Sequence, residues 1–294
     1  MITIKTLGHR LTIITLICCG TTAWADSSYL ADRAAAFDLA QKGKPAEAAA
    51  EFSRLAETKI KKEQKDDALY NAAVAWQKAG QPDKAMELAQ KISSPPFSTA
   101  CEMELLTGNK KWDELLILSK SEDFKTWPDR LISNAYFNRA RAHRAKGDLN
   151  AAEADFILAG QSTVSSRQKA LIAMELGSMY SSQDSQKALD VYAQAINAGS
   201  TGWHARRARA LLFIDRKEWP EALEEISLLQ QEASKEPYWT CAGFLLTGQY
   251  HQAKGEPAEA IASFEKAAAE EKAPEDMRKQ AETLKAGLKT GTSN

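Results

Sequence analysis

Cysteine is scarce in this 294-residue chain. Cys18 and Cys19 sit side by side near the start, and Cys101 and Cys241 stand 140 residues apart. That pattern excludes the dense disulfide framework of a small secreted domain. Histidine is equally sparse, with four in all. None of them stands in C-x-x-C or H-E-x-x-H company, and His204 has no Cys or acidic neighbour at metal-ligand spacing. The glycine-rich phosphate and dinucleotide loops are missing, and so is the G-x-S-x-G elbow. No Asn-x-Ser/Thr acceptor occurs. Charge of one sign is lacking too: 38 Lys and Arg oppose 39 Asp and Glu. Such a balance gives no support for a nucleic-acid or membrane-surface binder.

One apolar run stands out, Leu11–Cys19, behind Lys5, His9 and Arg10 and ahead of Ala23-Trp24-Ala25. A basic start, a short apolar core and small residues at the first and third places before a cut make a secretory signal. The expected cleavage follows Ala25, which places the product in the periplasm or outside the cell. Nine apolar residues fall far short of the roughly 20 needed to span a bilayer. Lipidation at Cys18 or Cys19 is the other alternative, and Ile17 stands where a small residue should precede it. Two of the 38 cations and no anion leave with residues 1–25, so the remaining net charge is 36 − 39 = −3. No second long apolar run follows, and no membrane insertion is expected after cleavage.

What the chain does have is repetition. Gly43–Phe52 reads GKPAEAAAEF and Gly255–Phe264 reads GEPAEAIASF. Each is a turn followed by a packing helix: Gly ends one helix, and Pro opens the next where its missing N–H costs nothing. Related units begin at Gly80 and Gly147, and further ones contain Leu115, Ala188 and Ala222. With Ala48, Ala85, Leu115, Ala152, Ala188, Ala222 and Ala260 as anchors, successive spacings are 37, 30, 37, 36, 34 and 38. A period near 35 with two helices per unit means a helical solenoid. An oxidising compartment would allow a disulfide between Cys101 and Cys241; repeats that far apart rarely touch, so two separate buried thiols are the favoured expectation. The third and sixth units fit least well. Pro95 and Pro96 should confine the third unit's first helix to about Thr99–Thr107, and Arg206 falls near an apolar position of the sixth.

The first helices carry Leu176, Gly177 and Tyr180 at L-G-x-x-Y spacing, Gly248 and His251 at the same offsets, and the strings LYNAAVAW and YFNRARAH. Together with the Gly, Ala, Phe and Pro of the second helices, this resembles the tetratricopeptide repeat. The resemblance covers Tyr29 to about Pro274. It implies an all-α, right-handed superhelical solenoid of about seven helix-turn-helix repeats over residues 26–274. A capping helix should follow over 275–289, with Met277, Ala281, Leu284 and Leu288 on one side, and a disordered tail over 290–294. Ala73, Ala140, Gly177 and Gly248 should sit where the two helices of a unit cross.

The resemblance also implies a concave groove lined by first helices, and a protein or peptide partner in it. Carried over residue by residue, the groove would expose Asp67, Tyr70, Val74 and Gln77. It would also expose Asn134, Phe137, Arg141 and Arg144, then Leu171, Met174 and Ser178, then His204 and Arg207, and last Leu245, Gln249 and Gln252. Asn71 and Asn138 match the family's backbone-binding asparagine. The carboxylate-clamp subclass is not expected, because Leu171 and Glu175 occupy its matching places. His143 and His251 read as packed core rings. Trp76, Trp112 and Trp219 read as packing residues, and Trp127, Trp203 and Trp239 as candidates for contact. The strings KIKKEQKDD and ALEEI read as solvated charge. The expectation is a non-catalytic interaction scaffold with no cofactor and no metal. An assembly or chaperone subunit of an envelope complex and a surface glycan-binding protein are the alternatives.

Overall fold

The structure, a computed structural model, describes residues 27–58, 60–120, 122–163, 165–199, 202–233 and 236–291. The expected signal with its cleavage point, Cys18 and Cys19 lie outside the described residues, as does the tail beyond Gly291. Fifteen α-helices and no strand occur among the described residues. In order they are α1 (Ser27–Gln41), α2 (Pro45–Ala56), α3 (Lys62–Lys78), α4 (Pro82–Ala89), α5 (Pro95–Gly108), α6 (Trp112–Ser119), α7 (Asp129–Ala145) and α8 (Leu149–Gln161). Then come α9 (Ser166–Tyr180), α10 (Ser185–Ala198), α11 (Gly202–Asp215), α12 (Trp219–Ala233), α13 (Pro237–Lys254), α14 (Pro257–Ala268) and α15 (Glu275–Gly291). They form seven successive hairpins and one closing helix.

The turn of each hairpin follows from its sequence. Six hairpins share one hydrogen bond, in which an amide five residues on donates back to the last turn of the first helix. The pairs are Lys44 to Leu39, Gln81 to Trp76, Lys111 to Leu106, Asp148 to His143, Glu218 to Phe213 and Glu256 to His251, at 2.9–3.1 Å. This is the reverse turn that ends a helix through a left-handed residue. Gly43, Gly80, Gly147 and Gly255 supply that residue with φ between 73° and 83°. In the third and sixth units lysines take it, Lys110 at φ 57° and Lys217 at φ 59°. These are the two units whose sequence fits the repeat least well, and a side chain in this region is strained. The fifth turn is one residue shorter: the Asp184 amide donates to Tyr180 O, and the Asp184 carboxylate caps α10 by accepting from Lys187 N.

Packing explains the period. All seven anchors, Ala48, Ala85, Leu115, Ala152, Ala188, Ala222 and Ala260, are fully buried. Ala73 and Ala140 are buried at the helix crossings. A Cβ on Gly177 would come within 2.4 Å of the Tyr192 ring, and one on Gly248 within 2.4 Å of the Phe264 ring. Backbone and aromatic face therefore touch directly, as the L-G-x-x-Y reading requires.

The helices divide into two compact units, one up to Gln168 and one from Lys169, with the boundary at the start of α9. In the first, ring pairs Phe37–Phe52 and Phe137–Phe156 bridge the two helices of their hairpins. Carboxylates join neighbouring helices. Asp67 accepts from Arg33 Nε at 2.8 Å and from Tyr29 Oη at 3.1 Å. Asp66 accepts from the amides of Ser93 and Ser94 and so fixes the α4–α5 turn. Asp155 accepts from Arg139 Nε and Nη2. In the second unit, α13 and α14 pack with α15 through Cys241, Leu245, Phe264 and Ala281, joined by Met277, Leu284 and Leu288. The expected one-sided stripe of the closing helix is thus its packing face. Cys101 and Cys241 are both free and buried.

Three expectations change. Pro95 and Pro96 open α5 rather than shorten it, because a proline in the first turn loses no helical hydrogen bond. Arg206 is neutralised in place: Arg206 and Arg209 both pair with Glu225, at 3.2 and 2.7 Å. Asp66, Asp67 and Glu225, expected in solvated charge runs, are buried.

Two substitutions test the joints. Gly248→Leu should lower stability by about 1–3 kcal/mol or more through overpacking against the buried Phe264 ring. Lys217→Gly should raise it by about 1 kcal/mol by relieving the left-handed strain. Urea unfolding of each variant beside the parent measures both.

Candidate functional site

In the first unit, the first helices press against one another side to side, and this decides the fate of the expected groove. Tyr70, Asn71, Asn134, Phe137 and Asn138 are buried, not groove-lining. Asp67, Val74 and, in the second unit, Leu171 and Leu245 are buried as well. The physical reason is lateral packing: these side chains point between helices rather than out of them. Asn138 Nδ2 donates to Glu104 Oε2 at 2.8 Å, tying α7 to α5. Asn134 Oδ1 accepts from Gln168 Nε2 at 2.6 Å. Asn71 Nδ2 donates to Asp67 O on its own helix. The amide of Gln77 lies across Gly108 and donates to Leu105 O at 2.6 Å, stapling α3 to α5.

A buried polar core follows from this layer. Burial pushes the Tyr70 hydroxyl well above its usual range, and the nearby Glu104 carboxylate adds to it. Burial likewise raises the Cys101 thiol, with Glu104 again contributing. Lys78, one turn beyond Val74, is pulled down to about 8 by burial, with Glu104 opposing and Arg167 assisting. Lys78 and Glu104 were not singled out in the sequence; their place beside the repeat's groove positions was the available signal. Arg141 and Arg144 on α7 are half-exposed, and Arg141 lies 5.9 Å from the Phe137 ring centre.

The second unit presents a different inner face. Arg207 is exposed, and Met174 and Gln249 are half-exposed. Ser178 and Gln252 are exposed. An aromatic cluster gathers on Trp239: Trp203 at 5.5 Å, His204 at 4.5 Å and Tyr238 at 4.9 Å. All three contacts are edge-to-face, the arrangement the ring quadrupoles favour. His204 Nε2 is buried without a hydrogen-bond partner. Burial, with Arg207 beside it, pulls the His204 ring down to about 4. Between α10, α11 and α12 a cavity of about 310 Å³ is lined by Arg206, Arg209 and Glu225 among others.

The remaining candidates resolve as follows. Trp127 is buried against Phe124 at 4.8 Å and Trp239 is buried too, which leaves only Trp203 of the three contact tryptophans with open surface. The rings of His143 and His251 are only partly buried, and each faces a carboxylate of its own hairpin turn; His143 also lies 4.0 Å from the buried Asp155. His251 Nδ1 lies 2.7 Å from Glu256, and His143 lies 3.9 Å from Asp148. Among the described residues, no group of three His, Cys, Asp or Glu could hold a metal ion. No described helix is long and apolar enough to cross a membrane.

The shifted ring of His204 gives a signed pH test. The unfolded chain takes up a proton near pH 6.5 and the folded chain only near 4, so the unfolded state holds more protons in between. Stability should therefore fall as pH drops from about 6.5 towards 4, by on the order of 2–3 kcal/mol. In His204→Leu this part of the fall should vanish, as read by the difference between the two proteins' urea midpoints across that range.

No family model matches the chain and no curated protein matches it. Among solved structures, a tetratricopeptide repeat protein from Parabacteroides merdae is 15% identical over 88% of this chain and 99% of its own, with a TM-score of 0.49. Yeast Tom70 is 15% identical over 93% of this chain and 67% of its own, with a TM-score of 0.47. The TPR2AB domain of yeast Sti1, solved as a complex with pHSP90, is 14% identical over 90% and 100%, with a TM-score of 0.36. Likeness at this level carries no functional argument. The chain's own seven hairpins, with their recurring turn hydrogen bond, buried anchors and ring-on-glycine crossings, give it the fold of the tetratricopeptide repeat.

Proposed function

We propose that this chain is a non-catalytic interaction scaffold that binds a protein or peptide along the exposed parts of its first helices. The observation that carries this reading is a division of labour within each repeat. The anchors of all seven hairpins, alanine in all but one, are buried. The solvent-facing residues of the first helices differ from one hairpin to the next. Arg141 and Arg144 in the first unit, and Met174, Arg207 and Gln249 in the second, are not consumed in the buried anchors that hold the hairpins closed. Arginine beside aromatic rings is the composition that protein contacts favour. Buried Tyr70, Asn71, Asn134, Phe137 and Asn138 have no part in this surface.

The site of action proposed is outside the cytoplasm, on the strength of Leu11–Cys19 and Ala23–Ala25. N-terminal sequencing of the protein recovered from the periplasm or medium should begin at Asp26. A chain that begins at Met1, or at a lipid-modified Cys18 or Cys19, would refute this cleavage.

The scaffold reading is tested by crosslinking in the native cell, followed by pull-down of the crosslinked partner with purified chain. Arg141→Glu combined with Arg144→Glu should weaken capture at least tenfold while helical content by circular dichroism stays the same. Undiminished capture would remove α7 from the contact surface.

A further inference from the structure

Of the three arginines in the sixth unit's WHARRAR string, two are spent inside the fold. Arg206 and Arg209 share the buried carboxylate of Glu225 on α12. Arg207 lies on another side of α11, is exposed, and meets no carboxylate among the described residues. Its neighbours one turn back, at the i−4 and i−3 positions, are Trp203 and His204. Trp203 keeps part of its surface open while it packs edge-to-face with Trp239, and Tyr238 packs edge-to-face with the same ring. The patch is thus a cation with no carboxylate partner among the described residues, one turn from a partly open indole that packs on other rings.

That floor also contains a polar atom without a partner. His204 Nε2 is shut off from solvent and bonds to nothing described. Packing alone gives no reason to hold a ring nitrogen there, since buried polar groups are nearly always paired. A neutral imidazole next to Arg207 adds no second charge, so the field at the patch is set by the guanidinium.

We propose that Trp203, His204, Arg207, Tyr238 and Trp239 form a docking site for an acidic peptide segment of a protein partner. A carboxylate on the segment would pair with Arg207, and an adjacent aromatic or large apolar side chain would lie on Trp203. The occupant follows from charge complementarity: among the described residues, Arg207 has no anion of its own. A guanidinium accepts a carboxylate through two parallel N–H donors, and an indole face accepts a ring or an aliphatic chain. The proposal rests on the reading of the chain as a peptide-binding scaffold and adds to it which unit binds and what chemistry is bound.

The test uses the chain from Asp26 onward with a random Glu–Tyr copolymer as probe. A Lys–Tyr copolymer and a neutral oligosaccharide panel serve as comparisons. Binding is read by calorimetry and by the change in tryptophan fluorescence. The Glu–Tyr copolymer should bind, more weakly as salt rises, and the Lys–Tyr copolymer should not. Arg207→Glu, an exposed position, should weaken binding at least tenfold, Arg207→Lys by less, and Arg141→Glu with Arg144→Glu hardly at all. The proposal is overturned if Arg207→Glu binds as well as the parent. It is equally overturned if the Glu–Tyr copolymer fails to bind, or if neutral sugars bind in its place. If the Glu–Tyr copolymer fails to bind while the native partner is still captured, this inference fails and the scaffold reading stands; if no native partner is captured at all, the scaffold reading itself fails.

Discussion

The helix crossings are the contacts on which the rest depends. One helix of the pair carries a residue with almost no side chain there, so the second can approach its backbone. In the fifth and seventh units that residue is glycine, against Tyr192 and Phe264. In the second and fourth it is alanine. The small residue sets the distance between the helices, the distance sets which anchors are buried, and the anchors set the period. Apolar area buried at these crossings supplies most of the stability, and the turn sets direction and adds a smaller share.

A second layer of interactions works between hairpins rather than within them, and it is polar. Asp66 and Asp67, Glu104 with Asn138, Asn134 with Gln168, and Gln77 on Leu105 each carry a hydrogen bond from one first helix to its neighbour or to the next turn. A buried carboxylate or amide must find its partner in one register, which apolar contact alone does not demand. Stacking is thereby directed by polar geometry, while closure of each hairpin is directed by apolar shape. The first unit buries Tyr70, Asn71, Asn134, Phe137 and Asn138, whereas Ser178, Arg207 and Gln252 of the second stay exposed.

The hairpins were legible in the sequence because their determinants are local. Gly, Pro and small residues recur at fixed offsets, and the seven anchors read from that recurrence are buried without exception. The inner face was less legible because its fate depends on the lateral pressure of a neighbouring repeat about 35 residues away. Tyr70 and Asn138 occupy groove positions by offset, yet a neighbouring first helix covers them. Asp66 looked solvated because its partners, the amides of Ser93 and Ser94, lie in a turn that says nothing of carboxylates. Trp203 and Arg207 were visible as candidates. The pairing of Arg206 and Arg209 with Glu225, which singles out Arg207, required the fold.

Lys110 and Lys217 deserve a mechanical reading. Each compact unit contains one joint whose left-handed turn is made by a lysine instead of a glycine. A chain of hairpins under load, drawn through a pore or pulled between two attachment points, yields first where a turn contributes least. The two lysine turns are those points, one per unit, and they would make unwinding begin within each unit rather than at its ends.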